Sequence, residues 1–308
     1  MACKGRHTPL WLKIQKEEIQ MRNLKRALSL ALAAIMLIGM MVVSASAASY
    51  NDLTDKDQIV NKDAVSMLVT LGVIEGKPDG SYAPTEGVDR AQMAKMISVI
   101  MNQGVDNGAL YENSPSGLTD ISSHWAKGHI NYCYTTGIIA GRGTGTFDPS
   151  ATVTALEAAK MLLVAVGYDP AIEGFEGADW AINVSVRADE QGIFEGFTKD
   201  LSAPLNRDDA ALLIYNALDV EMIQSYTTNN YPIVYSDHRT ILSDKYGVIK
   251  VEGLVTANEW AILDDDTDTA LQEGKTRIYN PDGILSTTGN TAVAQDSSAN
   301  VKTQVFNV

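Results

Sequence analysis

A pentapeptide bracketed by glycines is written three times in this chain, as Gly72-Val73-Ile74-Glu75-Gly76, Gly137-Ile138-Ile139-Ala140-Gly141 and Gly192-Ile193-Phe194-Glu195-Gly196. Twelve residues before each first glycine stand Val60, Trp125 and Trp180, and beyond each pentapeptide lie Tyr82-Ala83-Pro84, Phe147-Asp148-Pro149 and Ser202-Ala203-Pro204. A new helix start follows the first glycine after eighteen residues in copies one and two and after fifteen in copy three. Three features in constant order mark a repeat. A unit this short cannot bury its apolar face alone, so the copies must pack on one another.

Each copy reads as helix, glycine-rich loop, helix. Before the loop, apolar residues fall at helical spacing, as in Ala64, Val65, Leu68 and Leu71 or Ala126, Ile130, Cys133 and Tyr134. Gly72, Gly137 and Gly192 stand where a left-handed residue would end that helix, and Asp79-Gly80 and Thr144-Gly145 are turn signals within the loop. The second helices open on cap chemistry: Asp89 with Gln92 and Thr154 with Glu157 fit the capping box, and Asn206 with Asp209 is a weaker version. Apolar rows follow at Met93, Met96, Ile97 and Ile100, at Ala158, Met161, Leu162 and Ala165, and at Ala210, Leu213, Ile214 and Ala217. These rows predict a central bundle of the three second helices. The copies span 50–104, 117–169 and 174–223, separated by polar connections rich in turn residues.

Residues 1–47 differ from everything after them. Arg22, Lys25 and Arg26 precede an apolar run from Ala27 to Val43, and Ala45-Ser46-Ala47 has the small-x-small pattern of a signal-peptidase site. This predicts an exported protein cleaved after Ala47; the alternative is a membrane anchor, because a bilayer span takes roughly 17–25 residues. Lys16-Glu17-Glu18 is back-translatable as a ribosome-binding sequence, so translation is expected to start at Met21. A peptide map of the precursor containing residues 1–20 would overturn that start. Removing residues 1–47 takes away seven basic and two acidic side chains and moves the net charge from −14 to −19. Such a surface repels nucleic acid and anionic lipid, so any anionic ligand must be held by local basic positions. Cys133 is alone in the remaining chain, which excludes an internal disulfide and suits it to apolar packing.

After copy three the character changes. Tyr226-Thr227-Thr228-Asn229-Asn230 reads as a linker, and 231–308 reads as a β-rich region in which Tyr246 to Val255 and Thr276-Arg277-Ile278-Tyr279 alternate apolar and polar residues. The Ser/Thr/Ala/Asn-rich stretch Ser286 to Ser298 is weakly patterned, and the region as a whole reads as a truncated or edge-exposed β module.

The chain resembles the S-layer homology family over about Tyr50 to Ile223. The resemblance is carried by Trp125-Ala126, Gly137-Ile138-Ile139-Ala140-Gly141, Gly145-Thr146-Phe147-Asp148-Pro149, Val153-Thr154 and the Asp89-Arg90-Ala91-Gln92 motif. It implies a mainly α fold, three helix-loop-helix repeats forming a pseudo-threefold spindle around a central bundle. It also implies noncovalent attachment to secondary cell-wall polysaccharide linked to peptidoglycan, often bearing pyruvylated sugar. The family's motif arginine corresponds to Arg90 and Arg207; copy two has Ala155 there, leaving Arg142 in the adjacent loop as the substitute charge. The motif's acidic residue is matched by Glu157, with Gln92 and Asp209 in the other copies. Its aromatic position is matched by Trp125 and Trp180, with Val60 in copy one. Its opening acidic residue is matched by Asp120, and less closely by Asp55.

The arginines also have a physical case. At the first helical position a cation opposes the helix dipole by about 0.3–1 kcal/mol, and a bound carboxylate would offset this by accepting from the free helix-start N–H groups and the guanidinium together. The alternative is an internal ion pair with Asp89 or Asp208. Trp125 and Trp180 suit a core or groove wall, or stacking on a sugar face. Gly76, Gly141 and Gly196 suit close approach of a ligand to the backbone, or a turn with positive φ.

Enzyme chemistry finds no support in the pattern. His7, His124, His129 and His238 lack paired metal spacing, and there is no Gly-x-Ser-x-Gly or phosphate loop. Asp264-Asp265-Asp266-Thr267-Asp268 lacks the glycine and glutamate of a calcium loop and reads as a solvated turn. The expectation is an anchoring protein without cofactor or metal, with polysaccharide as its partner and no stable membrane insertion after cleavage. The rivals are an anchoring fragment of a wall-associated enzyme and a self-associating lattice protein.

Overall fold

A computed structural model describes residues 49–248, 254–260, 271–273, 275–279 and 303–307. The leader, the acidic run 264–268 and the stretch 286–298 lie outside the described residues. The chain is mainly helical, with seven α-helices among the described residues: α1 Lys62–Thr70, α2 Arg90–Met101, α3 Lys127–Thr135, α4 Ala155–Ala165, α5 Trp180–Glu190, α6 Arg207–Ala217 and the short α7 Ile241–Tyr246. The strands form two small antiparallel sheets. One pairs β1 Ile223–Tyr226 with β2 Pro232–Val234, and the other has the order β3 Leu254–Ala257, β4 Lys275–Tyr279, β5 Thr303–Asn307. Leu254 stands opposite Tyr279, and Lys275 opposite Asn307.

Local chemistry sets the helix ends. Asp89 accepts from the Gln92 N–H at 2.7 Å while the Gln92 side chain accepts from the Asp89 N–H at 3.0 Å, and Thr154 with Glu157 repeats this at 3.2 and 3.1 Å. Asn206 keeps half the arrangement, accepting from the Asp209 N–H at 2.8 Å. At the other end of α1, Gly72 turns left-handed at φ 72°, which lets the Val73 N–H reach the Leu68 carbonyl at 2.9 Å and satisfies a carbonyl the helix would leave bare. Gly192 ends α5 the same way.

The helices do not pair within their own copies alone. Across copies, α3 packs on α2, α5 packs on α4, and α1 packs on α6. The first helix of each copy thus lies on the second helix of the preceding one, with copy one lying on copy three. Meanwhile α4 touches both α2 and α6. Small residues allow this approach: Ala91, Ala94, Ala155, Ala158, Ala159, Ala210 and Ala211 are fully buried in the first turns of the second helices. Larger side chains, among them Met93, Ile97, Leu162, Leu213 and Ile214, fill the space between them. Cys133 is buried and its thiol donates to the Ala94 carbonyl at 3.4 Å; burial pushes its pKa up and leaves it inert. Tyr134, placed on the apolar stripe by its spacing, is instead exposed, because Ile130 and Cys133 already fill the contact with α2.

Just before the second helices, three backbone bonds close on themselves. The Val88 N–H donates to Leu205, the Leu205 N–H to Val153, and the Val153 N–H to Val88, at 2.9, 2.9 and 3.1 Å. All three residues are buried, so each bond is shielded from water. Equivalent positions of the three copies thus form a single ring.

The stretch Tyr226 to Asn230, read above as a linker, instead ends β1 at Tyr226 and turns the β1–β2 hairpin from Thr227, closed by Thr227 N–H to Tyr231 O at 2.8 Å with Asn230 at φ 62°. Asn tolerates this left-handed conformation. The hairpin and α7 pack onto the repeats through Ile223 N–H to Val166 O at 2.8 Å, Leu242 N–H to Leu218 O at 3.0 Å, and the buried Ile241 and Leu242. Tyr246, expected to open a strand, ends α7 instead, and left-handed Gly247 caps it. Thr276 to Tyr279 lie in β4 as the alternation predicts.

Candidate functional site

The loop of copy two is shaped from behind by Asp120. Its carboxylate accepts from the Phe147 N–H at 2.9 Å and the Asp148 N–H at 2.7 Å, holding Asp148 left-handed at φ 61° before Pro149. Burial raises the Asp120 pKa, but the backbone donors outweigh it and hold the carboxyl below its usual range. The stability that Asp120 supplies is therefore present above the unfolded carboxyl pKa and lost as pH falls through the lower folded value. We predict that Asp120→Asn lowers urea stability by about 1–2 kcal/mol at neutral pH and flattens the acid limb of the stability profile. An unchanged acid limb would refute the clamp.

The same clamp recurs in copy one, where Asp55 accepts from Tyr82 and Ala83 at 2.7 Å each and Ala83 is left-handed at φ 57°. The weaker sequence match of Asp55 thus hides the same geometry as Asp120. Both loops close with a backbone bond across the turn, Lys77 N–H to Ser81 O at 2.7 Å and Arg142 N–H to Thr146 O at 2.8 Å. Gly141 is needed there because a Cβ would lie 2.8 Å from the Thr146 carbonyl oxygen. Gly76 is less crowded, and only Gly196 of the three has positive φ, at 74°. Loop three is built differently, from successive turns through Gly192–Phe197.

Arg90 reaches the loop of copy two, not that of its own copy. Its Nε donates to the Phe147 carbonyl at 3.0 Å, its Nη2 to the Ala140 carbonyl at 3.4 Å, and its guanidinium lies 4.4 Å from the Phe147 ring centre, with Glu157 at 3.8 Å. Burial, followed by the neighbouring Arg142, lowers its pKa to about 10, which leaves it charged at neutral pH. Arg207 does the same to loop one, through Tyr82 O at 2.8 Å and the Tyr82 ring at 4.8 Å. Copy two's lack of a motif arginine is therefore made good by Arg90. Loop three is the one served by Ala155, whose neighbour Leu156 donates to Leu201 O at 3.1 Å. The expected free N–H groups at these helix starts are also absent: Arg90 and Ala91 donate to Ala151 and Pro149, and Arg207 and Asp208 to Glu86 and Pro84. What offsets the N-terminal cation of α2 is carbonyl oxygen, an aromatic face and a carboxylate from within the chain.

These contacts leave a groove of about 570 Å³ beside loop two, within the range of small-molecule sites. It is lined by Ala140, Gly141 and Arg142 of loop two, Glu157 and Lys160 of α4, half-buried Trp180 of α5 and the buried Arg90 of α2. Arg142 pairs with Glu157 at 2.9 Å, and Lys160 lies 5.7 Å from the Trp180 ring centre. Of the residues singled out in the sequence, the structure brings Arg90, Arg142, Trp180 and Gly141 together, with Asp120 behind loop two. Arg207 and Gly76 belong to loop one and Gly196 to loop three. Trp125 is 59% exposed beside His124, so it is not core; it precedes α3, whereas Trp180 opens α5, which packs on the second helix of the copy before. Lys160 was not singled out from the sequence, though it lies three residues after Glu157 on the same helical face.

A polar cluster, buried at Ser98 and His129 and open to solvent at Asp106, joins copies one and two: His129 Nδ1 is 2.6 Å from Ser98 Oγ and its Nε2 is 3.2 Å from Asp106, which also pairs with Lys95 at 2.9 Å. The order resembles a nucleophile relay, yet Ser98 is sealed within the helix packing, so the cluster fastens α2 to α3. Burial lowers the His129 pKa, with Asp106 opposing it.

The family model of the S-layer homology domain matches residues 49–94 and 117–159. The chain is 26% identical over 270 residues to a cell surface protein of Thermoanaerobacter kivui, covering 87% of this chain and 32% of that protein. It is 30% identical over 151 residues to an S-layer protein of Bacillus licheniformis, covering 49% of this chain and 16% of the relative. Against exoglucanase XynX of Acetivibrio thermocellus it is 28% identical over 187 residues, 56% of this chain and 16% of that protein. The chain spans about a third or less of the length of these relatives.

Proposed function

Residues 49–94 and 117–159 are S-layer homology domains, and from that premise we propose that the protein is held at the cell surface by noncovalent attachment to an anionic polysaccharide of the cell wall. Localisation at the cell wall follows from the domain and from the likeness to S-layer and cell surface proteins. The finer reading, a polysaccharide bearing carboxylate such as a pyruvyl ketal, rests on one observation: the loop-two groove gathers Arg90, Arg142 and Lys160 against Glu157 and Glu176 beside an indole face. In a chain of net charge −14 this local excess of cation is set against the general field. A guanidinium takes a carboxylate, and the indole takes the apolar face of a sugar ring. The cross-packed helix pairs and the ring at Val88, Val153 and Leu205 support a pseudo-threefold spindle, on which weak sites would reinforce one another along a polymer.

The test uses Arg142→Ala with Lys160→Ala, which spares the buried Arg90. We expect at least roughly tenfold weaker sedimentation with purified walls, matched by the unaltered protein on walls stripped of pyruvyl groups. Equal sedimentation of variant and parent would refute the groove.

A further inference from the structure

The chain does not leave the repeats directly from the end of α6. Between Asp219 and Gly247 it crosses the far end of the bundle and meets the carboxyl end of each second helix. Ile223 meets α4: its N–H donates to the Val166 carbonyl at 2.8 Å, and a Cβ on Gly167 would lie 2.7 Å from the Ile223 carbonyl oxygen, so glycine is needed for β1 to lie this close. Leu242 meets α6, its N–H donating to the Leu218 carbonyl at 3.0 Å. Tyr246 meets α2, where a Cβ on Gly104 would stand 3.7 Å from its ring. Two of these contacts also satisfy carbonyls that a helix end leaves bare.

The crossing is bound to itself. The Met222 N–H donates to the Arg239 carbonyl at 2.8 Å, the Tyr235 N–H donates to the Met222 carbonyl at 3.2 Å, and Glu221 bridges Thr240. Ile223, Ile241 and Leu242 are buried by it. The ring at Val88, Leu205 and Val153 marks the other end of the same helices, which have 11 or 12 residues and so run about 17 Å. Arg90, Glu157 and Lys160, which line the loop-two groove, lie in the first two turns of α2 and α4. Groove and chain exit are therefore at opposite ends of the bundle.

The order of these contacts along the chain has a mechanical consequence. A pull on residues beyond Gly247 acts first on Tyr246, then on Leu242 and Ile241, then on Ile223, and α6 carries none of it until all have let go. Without the crossing, the same pull would act at once on Ala217 and draw α6 away from α1 and α4, on which it packs. We infer that residues 219–247 are a strain-relief strap, which takes up load from the chain beyond it at the end away from the grooves and keeps the three copies closed meanwhile. The strap works whichever ligand the loops take, so its success or failure is separate from that of the wall-attachment reading.

Single-molecule pulling tests this on the chain lacking residues 1–47, with handles on Thr144→Cys in loop two and Val248→Cys just after the strap. Both positions are exposed and Cys133 is buried, so the handles couple only where intended. Two steps are expected: release of residues 219–247, about 100 Å of contour at about 3.5 Å per residue, then opening of the copies at higher force. Leu242→Ala, and separately the milder Tyr246→Ala, should speed the first step about tenfold at fixed force and leave the second unchanged, which a general loss of packing would not do. A single step, a first step much longer than the strap, a first step unaltered in both variants, or a second step that shifts with the first overturns the inference.

Discussion

A chain ended at Gln224 unfolds at markedly lower urea concentration than the chain that retains the hairpin and α7. The removed segment carries Ile241 and Leu242, which are 2% and 3% exposed. Burying a side chain of this size contributes about 1.5–3 kcal/mol, so the two together predict a loss of about 4 kcal/mol. Tyr226 adds to this, since its hydroxyl donates to Glu173 at 3.0 Å and accepts from the Asp169 N–H at 2.9 Å, tying β1 to the connection between copies two and three. The anchoring body therefore extends past the last repeat to Tyr246. An unchanged midpoint for the shortened chain would show the hairpin and α7 to be passengers.

The second large effect is expected from Arg90→Ala. Removing the guanidinium strips a donor from the Phe147 carbonyl and empties the face of its ring. Charged hydrogen bonds contribute about 1.5–3 kcal/mol and a desolvated cation on an aromatic ring up to about 2, so a net loss of about 3 kcal/mol is expected in urea unfolding. Glu157 keeps Arg142 as its partner and is not left as an isolated charge. Arg90→Lys restores the charge but not the planar fork, and should recover only part of the loss. If Arg90→Ala unfolds at the parent midpoint, the arginine is no clamp, and its place beneath the groove would have to serve the ligand alone.

What could be read in advance was what is local. Asp89, Thr154 and Asn206 cap helices through bonds that span three residues, and their chemistry is visible at that distance in the chain. The left-handed glycines at 72, 137 and 192 are legible for the same reason. The groove was not. Arg90 and Phe147 are 57 residues apart and Arg207 and Tyr82 are 125 apart, so an assignment made copy by copy attaches each arginine to the wrong loop. Periodicity shows that the helices must pack, and is silent on which copy lies on which. Tyr226 to Asn230 misled for a different reason, because Thr and Asn serve a tight hairpin turn as readily as a solvated linker. Trp125 and Trp180 look alike in sequence, yet one is exposed and the other half-buried.

The ring at Val88, Leu205 and Val153 bears on how such a protein can change over generations. A stack of repeats has two open ends and tolerates the gain or loss of a unit. A ring of three donors and three acceptors has no end at which to add. Deleting one copy would strip a donor from one neighbour and, from the other, both an acceptor and the arginine or its substitute that serves its loop. Duplication and loss are thus expected to act on the trio as an indivisible whole, while single substitutions remain free to arm or disarm each loop.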